Sequence, residues 1–202
     1  MSYLTIIRRW PVQTGLLLLS LTLLLFTPVS AADDDEATIW QALRSGDGVA
    51  MIRHALAPGG GDPDNFDIND CSTQRNLSDT GREQAKSIGQ LFKDAEITEP
   101  RLYTSQWCRC RETAELMDLG EVSEQPLLNS FFQQYKQGTQ QTADLQQWLS
   151  KQEVMTDKPL VLVTHQVNIT GLSGVFPSSG EIVVIRHPAG EAIEVLGTIE
   201  TD

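Results

Sequence analysis

Short apolar runs alternate along this chain with segments of helical period. Residues 49–52 (VAMI), 102–103 (LY), 160–163 (LVLV) and 182–185 (IVVI) are apolar at every position. Runs of that kind mark strands covered on both faces. Between them, 80–95, 108–119 and 142–153 carry the spacing of amphipathic helices. In the first of these, Ala85, Ile88, Leu91, Phe92 and Ala95 form one stripe, and Thr80 to Glu83 fits a capping box. Strand and helix in alternation predict an α/β fold: a three-layer sandwich with a mostly parallel central sheet and helices on both faces. Residues 181–199 read instead as two strands around Pro188-Ala189-Gly190, an antiparallel edge hairpin. The longest stretch without a period is 58–76 (PGGGDPDNFDINDCSTQRN). A loop of that length inside a compact domain is functional or mobile.

The first 32 residues follow a different pattern. Arg8-Arg9 precede the apolar block 15–26 (GLLLLSLTLLLF), and Pro28 and the small residues Val29-Ser30-Ala31-Ala32 follow it. That order predicts a secretory signal peptide over 1–32 and a single domain over 33–202, in a periplasmic or secreted protein. The alternative is an uncleaved N-terminal anchor in the inner membrane, since 10–32 carries no charge. A Leu-rich core of 12 residues is short against the roughly 20 that a bilayer crossing needs. After it, 33–37 (DDDEA) reads as a solvated acidic start without apolar periodicity.

Charge narrows the partners. The whole chain carries 15 Lys and Arg against 27 Asp and Glu, a formal charge of −12, which becomes −14 without residues 1–32. No basic cluster longer than Arg8-Arg9 exists, so no nucleic-acid partner is expected, and membrane contact only through the leader. Export would place Cys71, Cys108 and Cys110 in an oxidising compartment. A bridge from Cys71 to Cys108 or to Cys110 is open, as is a reading of all three as small buried thiols. Their spacing is not that of a zinc site, and neither metal nor cofactor is expected.

The candidate chemistry follows the strands. The 49–52 run ends in Arg53-His54, the 160–163 run leads to His165, and the segment after Tyr103 places Arg109 in the first turn of a helix. Ligands of open α/β sheets bind outside the carboxyl ends of the strands. Two His and two Arg from three segments therefore converge into a small anion site, Arg supplying forked donors. Arg111 is the competing ligand if the helix register differs by two residues. Ile185-Arg186-His187 repeats the Ile-Arg-His of the first segment, but reads as a hairpin end. Gly171-Leu172-Ser173-Gly174 lacks the spacing of a serine-hydrolase elbow.

Met51-Ile52-Arg53-His54-Ala55 resembles the Arg-His-Gly signature of the histidine phosphatase superfamily, the phosphoglycerate-mutase-like fold. Arg75-Asn76-Leu77-Ser78-x-x-Gly81-x-x-Gln84-Ala85, Tyr103-Thr104-Ser105-x-x-x-Arg109-x-x-x-Thr113-Ala114 and Val163-Thr164-His165 are similar to its later motifs, in order. The resemblance implies two-step phosphoryl transfer: His54 attacks phosphorus, and water hydrolyses the phosphohistidine. It implies that Arg53, Arg109 and a protonated His165 hold the phosphoryl oxygens. A small phosphorylated substrate is the implied partner, in an exported phosphatase that resembles envelope enzymes acting on phosphorylated sugars. A phospholigand-binding protein without catalysis is the alternative.

Departures from the pattern bear on catalysis. Ala55 and Gln166 stand where Gly is usual, and Gln166 offers an amide to the ligand. Ser130 stands near the usual position of a proton-donating Glu, and no Asp follows His165. Asp62, Asp64, Asp67 and Asp70 can stand in for the missing acid, though each reads first as a solvated loop carboxylate. Trp107 and Phe131-Phe132 are pocket walls or core.

Overall fold

A computed structural model describes residues 31–152, 158–186 and 193–201. Residues 1–30 of the leader expected over 1–32, His187 and the turn expected at 188–190 lie outside the described residues.

Among the described residues six strands form one sheet: β1 (Gly48–Arg53), β2 (Arg101–Thr104), β3 (Val122–Glu124), β4 (Leu160–Thr164), β5 (Ile182–Arg186) and β6 (Val195–Ile199). Their order is β3-β2-β4-β1-β5-β6. The pairings among β1 to β4 are parallel, and β5 runs antiparallel to both β1 and β6. The central strands β1 and β4 are buried along their length, as their unbroken apolar runs require.

Five α-helices among the described residues cover the sheet: α1 (Ala31–Ser45), α2 (Asp79–Asp94), α3 (Cys108–Met117), α4 (Gly138–Ser150) and α5 (Gln166–Ser173). Side chains alternate across a strand, so β1 feeds two cores. Ala50 and Ile52 pack with Ile39 and Leu43 of α1, Phe92 of α2 and Met117 of α3. Val49 and Met51 pack with Leu145 and Leu149 of α4 and Ile169 of α5. The result is the three-layer sandwich expected from the sequence.

Two local expectations are corrected, and one helix is added. The cap of α2 is Ser78, whose Oγ accepts from the Gly81 N–H at 3.0 Å, so the helix starts before Thr80. The acidic 33–37 stretch lies within α1, which the Ile39, Trp40 and Leu43 stripe docks onto the sheet. Acidic residues suit a helix N-terminus. Helix α5 had no periodicity to announce it, because Val167, Asn168, Ile169 and Leu172 bury most of its circumference.

At Gly81 the α2 backbone meets the chain just after β1. A Cβ there would lie 2.1 Å from the Leu56 carbonyl oxygen, so only glycine permits the approach. Gln84, one turn on, accepts from the Leu56 N–H at 2.9 Å and donates to the Ser179 carbonyl at 2.9 Å. Helix α2 thereby ties together the two segments that flank the end of β1.

Candidate active site

The carboxyl ends of β2, β4 and β1 lie side by side and deliver Ser105, His165 and His54. Ladder bonds continue past the strands: His54 N–H donates to Thr164 at 2.9 Å and Ser105 N–H to Val163 at 3.0 Å. One pocket at this rim is lined by all six residues singled out from the sequence: Arg53, His54, Arg109, Ser130, His165 and Gln166. Arg111 is not among its lining residues; it points to Glu124 instead, at 3.4 Å.

Hydrogen bonds fix the state of both imidazoles. His54 Nδ1 lies 2.8 Å from the Ala55 carbonyl, which can only accept. Nδ1 therefore carries the proton, and Nε2 keeps a lone pair. Behind it, Thr113 Oγ1 accepts from the Ala55 N–H at 3.1 Å and donates to the Arg109 carbonyl at 2.7 Å. The methyl of Ala55 packs with Ala57, Leu77 and Ala85. At His165, Nδ1 faces Arg109 Nη2 at 3.4 Å, and a guanidinium can only donate. The proton then sits on Nε2, which donates to Ser105 Oγ at 2.9 Å, and Ser105 passes its own to Asn129 Oδ1 at 3.2 Å. The two rings meet edge to face with centroids 5.5 Å apart.

Burial pushes both histidines well below their ordinary value of 6.5, and Arg109 pushes further in the same direction. For His54 this is the neutral state that a nucleophile needs. For His165 it favours the neutral ring in the absence of a bound anion. A buried imidazole beside a guanidinium stays neutral until an anion enters.

The long loop is where the structure departs most from the sequence reading. Asp62 is buried, not solvated: its side chain is 6% exposed and that of Arg109 is 3% exposed. Its carboxylate meets the guanidinium through two contacts, Oδ1 to Nη1 at 2.7 Å and Oδ2 to Nη2 at 3.2 Å. Trp107 Nε1 donates to Asp62 Oδ2 at 3.1 Å and Arg75 N–H to Oδ1 at 3.3 Å. These donors hold the carboxyl below its ordinary range, Arg109 foremost, against the opposing effect of burial. Asp67 and Asp70 instead organise local turns, accepting from Asn69 N–H and Ser72 N–H at 2.9 Å each.

Several anchors hold the loop in place. Cys71 and Cys108 form a disulfide, joining it to the first residue of α3, while Cys110 remains a buried free thiol. Gln74 Oε1 accepts from the Cys108 N–H at 2.9 Å, and Phe66 stacks on Trp107 at 4.9 Å. Arg75 donates through Nε to the Gly61 carbonyl at 3.0 Å and through Nη1 to the Ala57 carbonyl. Of the two readings of Trp107 the structure supports core: it packs against the core and is not among the pocket's lining residues, and its ring meets that of His165 edge to face at 5.4 Å. Phe131 is buried core, whereas Phe132 lines the pocket.

Charge at the pocket now has a simple form. Its charged lining groups are Arg53, Arg75, Arg109 and Asp62, so with neutral imidazoles two positive charges are left over. A phosphomonoester carries nearly two negative charges at neutral pH. The Nε–H groups of Arg53 and Arg109 are buried without a protein acceptor. Buried donors of that kind call for a partner, and phosphoryl oxygens supply one.

The family model of the histidine phosphatase superfamily (branch 1) matches residues 50–153, half of the chain. The chain belongs to the histidine phosphatase superfamily. Solved structures of similar fold include the protein histidine phosphatase SixA complexed with tungstate, at 16% identity and a TM-score of 0.54, over 76% of this chain and 96% of that one. A mycobacterial glucosyl-3-phosphoglycerate phosphatase matches at 15% identity and 0.54, over 77% and 97%. Phosphoserine phosphatase of Entamoeba histolytica matches at 16% and 0.52, over 77% and 98%. No curated protein sequence matches the chain.

Proposed function

We propose that this protein is an exported, metal-independent phosphatase that hydrolyses phosphomonoesters through a phosphohistidine on His54. The observation that carries the reading is the committed Nδ1–H of His54, which leaves Nε2 as a neutral nucleophile in a pocket with two uncompensated positive charges. In the first step the Nε2–P bond forms as the ester P–O bond breaks. In the second, water forms a new P–O bond, the N–P bond breaks, and inorganic phosphate leaves. Arg53 and Arg109 meet the charge on the equatorial oxygens, and His165 becomes a donor as the anion offsets Arg109. Gln166 and Ser130 border the same space and contact the substrate.

The substrate we propose is a small phosphorylated compound with a ring in its leaving group, such as a phosphorylated sugar of the cell envelope. Phe132 and Phe176 line the pocket with rings 45% and 74% exposed, and an apolar ring face lies well on such surfaces. Periplasmic or extracellular location is supported by the leader pattern of 1–32 and by the Cys71–Cys108 bridge, a bond typical of oxidising compartments.

Purified protein assayed against a panel of phosphoesters should hydrolyse some of them with and without EDTA, and His54→Ala should abolish turnover. Brief incubation with labelled substrate should leave an acid-labile, base-stable label on the protein. Reversible binding without label or turnover would favour a phospholigand-binding protein, and loss of activity in EDTA would exclude the metal-independent route.

A further inference from the structure

We propose that Asp62 is the proton donor of this site, supplied by the loop after β1; the assignment rests on the phosphatase reading above. With Ser130 near the usual position of a donor Glu and Gln166 after His165, Asp62 is the one carboxylate among the residues lining the pocket. Its placement is specific. Four donors from three segments converge on it: Arg109 and Trp107 at the start of α3, Arg75 N–H within the loop, and Gln133 Nε2, which donates to its carbonyl at 3.1 Å.

A merely structural ion pair would not need to face the ligand. Asp62 lines the pocket, and its two oxygens meet the Nη1 and Nη2 end of Arg109 while the Nε–H of the same guanidinium is without a protein acceptor. A phosphoryl group bound at Nε therefore shares Arg109 with Asp62 without having to displace it. The titratable and charged groups around the carboxylate are Arg109, Arg75, Arg53, His54, His165 and the Cys110 thiol. In the free protein the guanidinium keeps Asp62 ionised. A bound dianion draws on the same guanidinium and sets like charge beside the carboxylate, which favours uptake of one proton from solvent.

That proton is the one the reaction requires. As the His54 Nε2–P bond forms and the ester P–O bond breaks, the Asp62 carboxylic proton passes to the leaving oxygen, giving an alcohol and a carboxylate. In hydrolysis of the phosphohistidine the carboxylate takes a proton from the attacking water, and the acid is restored.

Leaving-group dependence tests this, because a general acid matters only when the departing oxygen is basic. The kcat/KM of the wild type should vary little between p-nitrophenyl phosphate and alkyl phosphates such as glycerol phosphate. Asp62→Asn should lose about 10²-fold or more on alkyl phosphates and less than about 5-fold on p-nitrophenyl phosphate. An equal loss on both substrates, or no loss, overturns the assignment and leaves Asp62 as a residue that only positions Arg109. Should the Asn variant fail to fold, the wild type decides alone: a steep fall in kcat/KM with leaving-group basicity overturns it. A wild type active on none of these esters is a different outcome, one that removes the phosphatase reading itself.

Discussion

His54 Nδ1 lies 2.8 Å from the carbonyl oxygen of Ala55, its neighbour in sequence, and that bond decides which ring nitrogen is available for chemistry. Because burial and Arg109 hold this imidazole well below 6.5, it remains unprotonated as the solution turns acid. The kcat/KM for a phosphate ester should therefore not decline through pH 6.5, where an exposed histidine nucleophile would be lost. A decline centred at that pH would show that His54 titrates as a solvated group.

The same two buried imidazoles make stability depend on pH in one direction. In the unfolded chain they bind protons near 6.5, while in the folded protein they do so only at much lower pH. Their contribution is complete above that value and is lost progressively as pH falls below it. The slope for two such groups approaches about 2.7 kcal/mol per pH unit. Urea titrations at several pH values in the absence of phosphate should show the decrease, and added phosphate should oppose it by binding the folded state.

Arg109 and Arg111 are two residues apart on α3, yet they should behave differently. Arg109→Lys removes the fork shared by Asp62 and His165 and should lower kcat/KM by about 10²-fold or more. Arg111→Ala removes contacts outside the pocket, with Glu124 and with the sulfurs of Cys71 and Cys108, and should remain within about 2-fold of wild type. Steady-state kinetics of the two variants on one ester separates the registers.

Reduction of the Cys71–Cys108 bridge, which closes a separation of 37 residues, should cost about 3–4 kcal/mol of stability. Thiol titration should find no reactive group in the native oxidised protein, because Cys110 is buried and its thiol is pushed up to about 12. One thiol should appear on unfolding without reductant, and three after reduction.

Gly81→Ala would press a methyl against the Leu56 carbonyl and force α2 away from the segment that carries His54. A loss of about 1–3 kcal/mol is expected, measurable by thermal or denaturant unfolding. Activity should fall with it, since Gln84 bonds the same segment.

Much of this architecture was legible because the central strands are buried on both faces. Their unbroken apolar runs announced β1, β4 and β5, and the residues after β1 and β4 had to emerge together at one rim. Arg109 followed from the helix start. Asp62 did not, since four aspartates share an aperiodic loop and nothing local tells a buried carboxylate from a turn former. The tertiary partners decide: Arg109 and Trp107 lie more than forty residues away in sequence. Arg75 was visible as part of a motif, but its place at the pocket depends on how the loop folds back. Helix α5 hid for the opposite reason, having too little polar surface to show a period.

The disulfide and Gln74 fasten the loop to α3 at one end, and Asp62 fastens it at the other. Between those fasteners Phe66 stacks on Trp107 and the Asp67 and Ile68 carbonyls accept from Gln74, so 63–70 is a strut that braces the loop against the start of α3. None of its residues lines the pocket. For an engineer this makes 63–70 a segment to leave intact, and Phe132 and Phe176, which do line the pocket, the positions at which to vary substrate preference.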